Sequence, residues 1–169
     1  YKRAIVIGSD QLSSYVDWDD RRSCILFGDG AGAIAIEATN DLDNLIGFSM
    51  RSDGQRGCFL NLPAQNNQDT IIDNINYLSG GYSVIEMNGQ EVYKFAVREI
   101  PLIIENLFQK TNFNSDKIDW LLLHQANQRI LDSVGERLNV SSEKILSNLT
   151  KYGNTSAATI PLMLDEALR

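Results

Sequence analysis

The chain has 169 residues, of which 43% are hydrophobic, and its mean hydropathy is −0.20. This length and composition predict one globular unit with an apolar core and exclude a fibre or a disordered tail. The apolar runs, such as residues 120–123 (WLLL), are far shorter than the roughly 20 residues that a membrane crossing needs. No membrane is therefore expected as a partner. A formal charge of −7 repels a phosphate backbone, so nucleic acid is not an expected partner either.

The first third of the chain predicts strands and loops. Residues 3–9 and 23–27 are β-rich runs, and the glycine-rich segment 28–32 (GDGAG) reads as a tight loop before a strand at 33–37. Residues 40–81 are rich in Asn, Asp, Gln, Ser and Gly, which predicts long loops. Because the chain starts inside a strand pattern and stops inside an uncapped helical pattern, we expect both ends to be cut from a longer fold.

The remainder of the chain alternates helical and strand patterns. Apolar residues recur at helical spacing from 90 to about 110, a segment that Pro101 should bend or locally loosen. The later elements are a buried strand at 120–124, a helix ending near Leu138, a strand at 145–149, a turn at 152–154 and a helix at 156–169.

The only histidine, His124, falls where a buried strand gives way to a polar turn. Ligands of open α/β sheets bind at such carboxyl ends of strands. Thirty positions later, Asn154 lies on a glycine turn before a helix, so two hydrogen-bond donors are carried on loop tips between rigid elements. On position alone, His124 is equally consistent with a structural histidine bonded to a backbone carbonyl.

Several motifs together resemble one enzyme family, the β-ketoacyl-acyl-carrier-protein synthases III, which are condensing enzymes of the thiolase fold. The matching stretches lie in the family's order along the chain: 20–21 (DR), 26–33 (LFGDGAGA), 87–94 (MNGQEVYK), 124–130 (HQANQRI), 152–158 (YGNTSAA) and 165–169 (DEALR). The resemblance implies a partial α/β fold with αβαβα layers. Residues 1–37 would close the first thiolase half, and residues 38–169 would form most of the second.

The resemblance also implies an activity. A Cys-His-Asn site would perform a decarboxylative Claisen condensation of acetyl-CoA, or another short acyl-CoA, with malonyl-acyl-carrier protein. His124 and Asn154 would donate hydrogen bonds to the malonyl thioester carbonyl, a role that suits two preorganised donors. No metal or redox cofactor is implied. The full-length enzyme would be a homodimer in the bacterial cytoplasm or the plastid stroma.

The family pattern further implies binding residues. Arg21 would stack on the adenine of CoA, Phe27 would line the acyl pocket, and Gly89, Tyr93 and Asn127 would line the pantetheine tunnel. A basic patch for the acidic carrier protein would consist of Lys94, Arg98, Arg129 and Arg137. From the residues alone, Arg21 is equally consistent with a surface ion pair to Asp19 or Asp20, and each residue of the patch is typical of a solvated charge.

The chain departs from the family pattern at the nucleophile. Cys24 falls in a predicted strand, where core packing explains it, and Cys58 has no nearby histidine or helix start to lower its thiol pKa. In the family the nucleophile lies upstream of the matching segment, so the resemblance implies a nucleophilic cysteine before Tyr1. The G-x-G-x-x-A pattern at residues 28–33 precedes a strand rather than a helix, which argues against a dinucleotide site.

Two alternative functions remain. Another thiolase-fold acyltransferase, such as one that initiates a polyketide, would share His124 and Asn154 and differ in its acyl pocket. A non-catalytic partner subunit would keep the fold without the chemistry, and the presence of both residues argues against it.

Overall fold

The computed structural model describes residues 1–40, 45–65, 67–72 and 75–169. Two long strands, β1 (Arg3–Asp10) and β2 (Gly30–Glu37), form an antiparallel pair in which Gly8 lies opposite Gly32. This confirms the predicted strand at 3–9. Strand β2 begins at Gly30, so most of the segment predicted as a loop at 28–32 belongs to the strand.

Glycines allow the β1–β2 pair to lie directly against the end of the chain. That end consists of a 3-10 turn (Ser156–Ala158) and helix α4 (Thr159–Leu168). A Cβ atom at Gly8 would lie 2.1 Å from the Ala157 carbonyl oxygen, and one at Gly32 would lie 2.6 Å from the Pro161 Cβ. These two glycines therefore allow close packing of the backbone.

Two amphipathic helices build the main core, α1 (Gly89–Thr111) and α2 (Gln128–Leu138), and both were predicted. Each begins at an asparagine whose side-chain oxygen accepts a backbone N–H: Asn88 from Glu91 and Asn127 from Arg129. Helix α1 continues through Pro101 without a break. The buried cluster between these helices and the neighbouring loops comprises Ala96, Ile118, Leu123, Ile130, Leu131, Val134, Leu138 and Val140.

Three short strands, β3 (Leu60–Asn61), β4 (Asn67–Ile72) and β5 (Ile75–Ser79), lie in the region 40–81 that was predicted as long loops, so that prediction is wrong in part. Strands β3 and β6 (Glu86–Met87) pair with each other, as do β4 and β5. The β3–β6 pair leads directly into α1, because the Asn88 N–H donates to the Phe59 carbonyl at 2.8 Å. It thereby places two apolar side chains, Leu60 and Met87, beside the first turns of α1.

The strand predicted at 23–27 is wrong. Residues 21–26 form turns, in which Asp20 accepts hydrogen bonds from the Arg22 backbone and side chain, and Phe27 alone makes a bridge. Local bonds from an aspartate side chain compete with strand pairing and favour a turn here. Cys24 is consequently half-buried in a turn rather than packed in a strand.

The two strands predicted in the second half are reduced to one parallel bridge between Leu121 and Ile145. Of the second predicted strand, only the last residue, Leu149, is helical, as the first residue of α3 (Leu149–Tyr152). Throughout the described ranges, every helix is too short or too polar to cross a membrane.

Candidate active site

His124 lies at the point where its chain segment leaves the core. The segment is held by the Leu121 N–H, which donates to the Lys144 carbonyl at 2.8 Å, and by Leu123, which is buried. Three residues after the histidine, Asn127 caps helix α2. The polar turn between core and helix therefore carries His124 at a fixed place in the fold.

Asn154 is held by a different pair of segments. Its N–H donates to the Leu26 carbonyl at 2.9 Å, and its carbonyl accepts the Gly28 N–H at 2.9 Å. The preceding residue, Gly153, has φ +66°, a conformation that favours glycine. A side chain at Gly28 is excluded as well, since its Cβ would lie 1.9 Å from the Tyr152 carbonyl oxygen.

The orientation of the Asn154 amide follows from a single contact. The Ser156 backbone N–H donates to Asn154 Oδ1 at 3.0 Å. Because a backbone N–H can only donate, the amide oxygen must face Ser156. The Nδ2 group is then turned away from Ser156, with two N–H bonds for another acceptor.

His124 and Asn154 line the same cavity, which we call the main cavity, with a volume of about 250 Å³. Most of its wall is apolar and comes from Leu60, Met87 and helices α1 and α2. Six of the residues singled out from the sequence line it: Phe27, Gly89, Tyr93, His124, Asn127 and Asn154.

A second cavity of about 200 Å³ adjoins the first. The two share four lining residues: Phe27, Leu60, His124 and Asn154. The imidazole and the amide therefore stand at the boundary between two spaces, where groups entering from either side would meet.

The environment of His124 favours the neutral imidazole. Loss of solvent around the ring lowers the pKa of His124 below its usual 6.5, and a backbone hydrogen bond with Ser156 acts in the opposite direction. Solvent still reaches part of the side chain, which is exposed. A neutral ring carries a proton on one nitrogen only, so it can donate to the Ser156 backbone or to the carbonyl of a ligand, but not to both.

Arg21 does not lie with the other predicted CoA-binding residues. Arg21 is exposed and lies outside both cavities, and it is Arg22, not Arg21, that pairs with Asp20 at 2.9 Å. Tyr93 shares a hydrogen bond with Ser133 Oγ at 3.2 Å, which links α1 to α2.

Three of the four residues predicted to form a basic patch have carboxylate partners. Lys94 pairs with Glu91 at 2.7 Å, and longer pairs of 3.5 Å join Arg98 to Glu99 and Arg137 to Glu105. Arg129 is exposed at the start of α2, close in sequence to the cavity residue Asn127.

Neither cysteine lines the cavities that contain His124. Cys58 is exposed in the 3-10 turn Gly54–Phe59. In the part of the chain that the structure describes, no group of three or more His, Cys, Asp or Glu side chains is placed to hold a metal ion.

Sequence reasoning missed three residues of the site. Leu60 and Met87 form part of the cavity wall, and only their position in short strands, paired at long range, brings them there. Gln125 was passed over although it follows His124 directly, and its side chain is completely buried. A buried glutamine beside a candidate donor has no signature in the sequence, because its partners come from distant segments.

Comparison with known proteins gives consistent matches. Residues 1–54 match the family described as 3-oxoacyl-(acyl-carrier-protein) synthase III, and residues 108–169 match the C-terminal family of the same synthase. The chain is 85% identical, over its full length, to the beta-ketoacyl-(acyl-carrier-protein) synthase III of Prochlorococcus marinus subsp. pastoris, of which it covers 50%.

Solved structures give the same result. The synthase III from Aquifex aeolicus superposes with a TM-score of 0.84 at 36% identity, over 99% of this chain and 49% of that one. The enzyme from Pseudomonas aeruginosa gives 0.84 at 33% identity, with the same coverage. The fold is therefore a partial thiolase-type α/β fold, and the chain spans about half the length of the relatives it matches. The chain belongs to the 3-oxoacyl-(acyl-carrier-protein) synthase III family.

Proposed function

We propose that the full-length protein is an acyltransferase that begins fatty-acid chains. It condenses acetyl-CoA, or another short acyl-CoA, with malonyl-acyl-carrier protein to give 3-oxoacyl-acyl-carrier protein, CoA and carbon dioxide. His124 and Asn154 are the donors for the malonyl thioester carbonyl. The observation that supports this most is that both residues line one cavity and that Ser156 leaves the Asn154 Nδ2 group available to donate.

The chemistry has two stages. A cysteine outside this chain attacks the acyl-CoA carbonyl, and CoA leaves as its thiol. The malonyl carboxylate then departs as carbon dioxide, and the electron pair of the broken C–C bond passes onto the thioester as an enolate. The enolate carbon attacks the acyl-cysteine carbonyl, a new C–C bond forms, and the cysteine thiolate leaves. No step oxidises or reduces the protein or its substrates, so the proposal needs no redox cofactor.

His124 and Asn154 act where negative charge develops. Donors fixed before the reaction stabilise an enolate oxygen without reorganising, and each is worth roughly 100- to 1,000-fold in rate. Asn154 is fixed by three hydrogen bonds, two on its backbone and one on its Oδ1. For His124, the lowered pKa keeps the ring neutral at pH 7. The ring then has an N–H to donate but no full positive charge, which would attract the malonyl carboxylate instead of the thioester carbonyl.

The main cavity suits a thioester arm. Its wall is largely apolar, which fits the thin pantetheine chain of CoA and of a carrier protein, and Gly89, Tyr93 and Asn127 lie along it. Arg21 lies outside it and would act on the nucleotide end of CoA. Arg129, exposed near the cavity, would meet the acidic carrier protein. Residues 1–37 and 38–169 would belong to the first and second thiolase halves.

The two half-reactions can be tested separately in the full-length protein. His124→Ala and Asn154→Ala should each reduce the release of labelled carbon dioxide from malonyl-acyl-carrier protein by about 100- to 1,000-fold. Acyl loading of the protein, followed by intact mass, should fall far less. Gln109→Ala removes an exposed amide at the far end of α1 and serves as the matched control.

Two outcomes would contradict the assignment. Equal losses of loading and decarboxylation in folded His124→Ala would make His124 the base for the cysteine. No loss in either step would make it a structural histidine.

A further inference from the structure

The side chain of Gln125 lies beside the candidate site and makes three hydrogen bonds inside the protein. It is 0% exposed. Its Nε2 group donates to the Leu123 carbonyl at 3.1 Å and to the Leu146 carbonyl at 3.2 Å, and its Oε1 accepts the Asn148 N–H at 3.1 Å. Both amide hydrogens are therefore used inside the protein, and no water is needed to satisfy them.

These bonds take the place of backbone hydrogen bonds between two neighbouring segments. The segments that precede His124 and Asn148 run parallel and share one bridge, Leu121 to Ile145, after which no further backbone ladder joins them. The Gln125 amide spans the two segments beyond that bridge. A side chain thus does what successive backbone pairs would do in a longer strand.

The connection continues from Asn148 toward Asn154. Asn148 is buried, and its Nδ2 donates to Glu166 Oε2 at 3.1 Å. Glu166 Oε1 accepts from Lys151 at 2.8 Å and from the Tyr152 hydroxyl at 3.2 Å. The carboxylate on α4 thereby fixes both ends of helix α3, and α3 ends two residues before Asn154.

We infer that Gln125 is a positioning residue for the condensation, because its amide fixes the His124 segment to the segment that leads to Asn154. Its function is to hold the two donors at the separation that one oxyanion requires. This rests on the proposed function, in which both donors serve one carbonyl. Errors of about 1 Å in such a site cost up to roughly 100-fold in rate.

A role in positioning differs measurably from a role in folding alone. Gln125→Met keeps the length of the side chain and removes all three hydrogen bonds. In the full-length protein it should slow decarboxylation by roughly 10- to 100-fold and leave acyl loading within about two-fold. Gln128→Met is the matched control, since that glutamine is exposed three residues later and bonds only to Asp132 and Ser147.

A double-mutant cycle tests the mechanism directly. Once Asn154 is alanine there is no second donor to position, so Gln125→Met should cost much less in the Asn154→Ala background than in the wild type. Full additivity would overturn the inference. If Asn154→Ala slows decarboxylation while Gln125→Met does not, this inference alone fails, and if Asn154→Ala has no effect, the proposed function fails with it.

Gln125→Glu covers the case in which the methionine variant does not fold. Its carboxylic acid keeps the shape, the acceptor for Asn148 and one donor, whereas the ionised form would place a negative charge against the Leu123 and Leu146 carbonyls. Its decarboxylation rate relative to wild type should rise as pH is lowered from 8 to 6, with acyl loading unchanged. A relative rate that does not depend on pH, with equal loss of loading, would show that Gln125 only supports the fold.

Discussion

Gly28→Ala should disrupt the contact that holds Asn154. The new Cβ would lie 1.9 Å from the Tyr152 carbonyl oxygen, so the two segments would have to separate by about 1.5 Å to reach an ordinary contact of 3.4 Å. That movement is large enough to break both 2.9 Å hydrogen bonds between Asn154 and residues 26–28. Two such bonds contribute about 0.5–1.5 kcal/mol each, and overpacking costs a further 1–3 kcal/mol. We expect a loss of about 2–6 kcal/mol in the free energy of unfolding.

The measurement is the denaturant midpoint of the full-length protein, together with decarboxylation of malonyl-acyl-carrier protein in the fraction that remains folded. Gly57→Ala is the control, because a Cβ there meets nothing within 4 Å and its φ is not positive. That variant should stay within about 0.5 kcal/mol of the wild type. If Gly28→Ala is as stable and as active as Gly57→Ala, the argument that Gly28 packs against the Tyr152 carbonyl is wrong.

Three further predictions concern pH and charge. Because burial lowers the pKa of His124, its ring should stay neutral down to about pH 6.5. The rate of decarboxylation should therefore be constant between pH 8 and about pH 6.5 and should fall only in more acid solution. An inflection well above pH 6.5 that His124→Gln abolishes would contradict this. The same shift means that the His124 contribution to folding is complete above about pH 6.5 and declines below it, where the unfolded chain binds the proton more tightly. Arg129→Glu should weaken the reaction with the carrier protein more than the reaction with acyl-CoA, and added salt should reduce the difference. The control Lys117→Glu reverses an exposed charge elsewhere and should affect neither reaction. An equal defect with both substrates at every salt concentration would instead indicate that Arg129 has a role in folding.

The helices could be predicted from the sequence because their signals are local. Apolar spacing marks α1 and α2, and their capping residues, Asn88 and Asn127, stand at the boundaries that the structure has. The error at residues 23–27 has a local cause that the β-rich composition concealed, since Asp20 captures the backbone of Arg22 in a turn. The β3–β6 pair depends on partners 25 and 27 residues apart, which no local pattern specifies.

The candidate site was predictable to a different degree. The family resemblance pointed to His124 and Asn154, and the structure brings both into one cavity with four other predicted residues. Position in the sequence could not show how Asn154 is oriented, because that depends on the Ser156 N–H, nor what Gln125 does, because its partners are two carbonyls and an N–H from separate segments. Residues whose role consists of long-range hydrogen bonds become visible only once the chain is folded.

The pairing of Phe27 and Gly28 with Asn154 also determines when the site can form. The ribosome makes Gly28 before Asn154, and at about 5–20 residues per second the 126 positions between them take roughly 6–25 s to synthesise. During that time the glycine-rich strand β2 has β1 beside it but lacks the backbone against which its glycines fit. In a nascent chain that stops before Asn154, the glycines of β2 are therefore uncovered and the candidate site cannot form. His124 and Asn154 can therefore come together only late in synthesis, after the ribosome has passed residue 154.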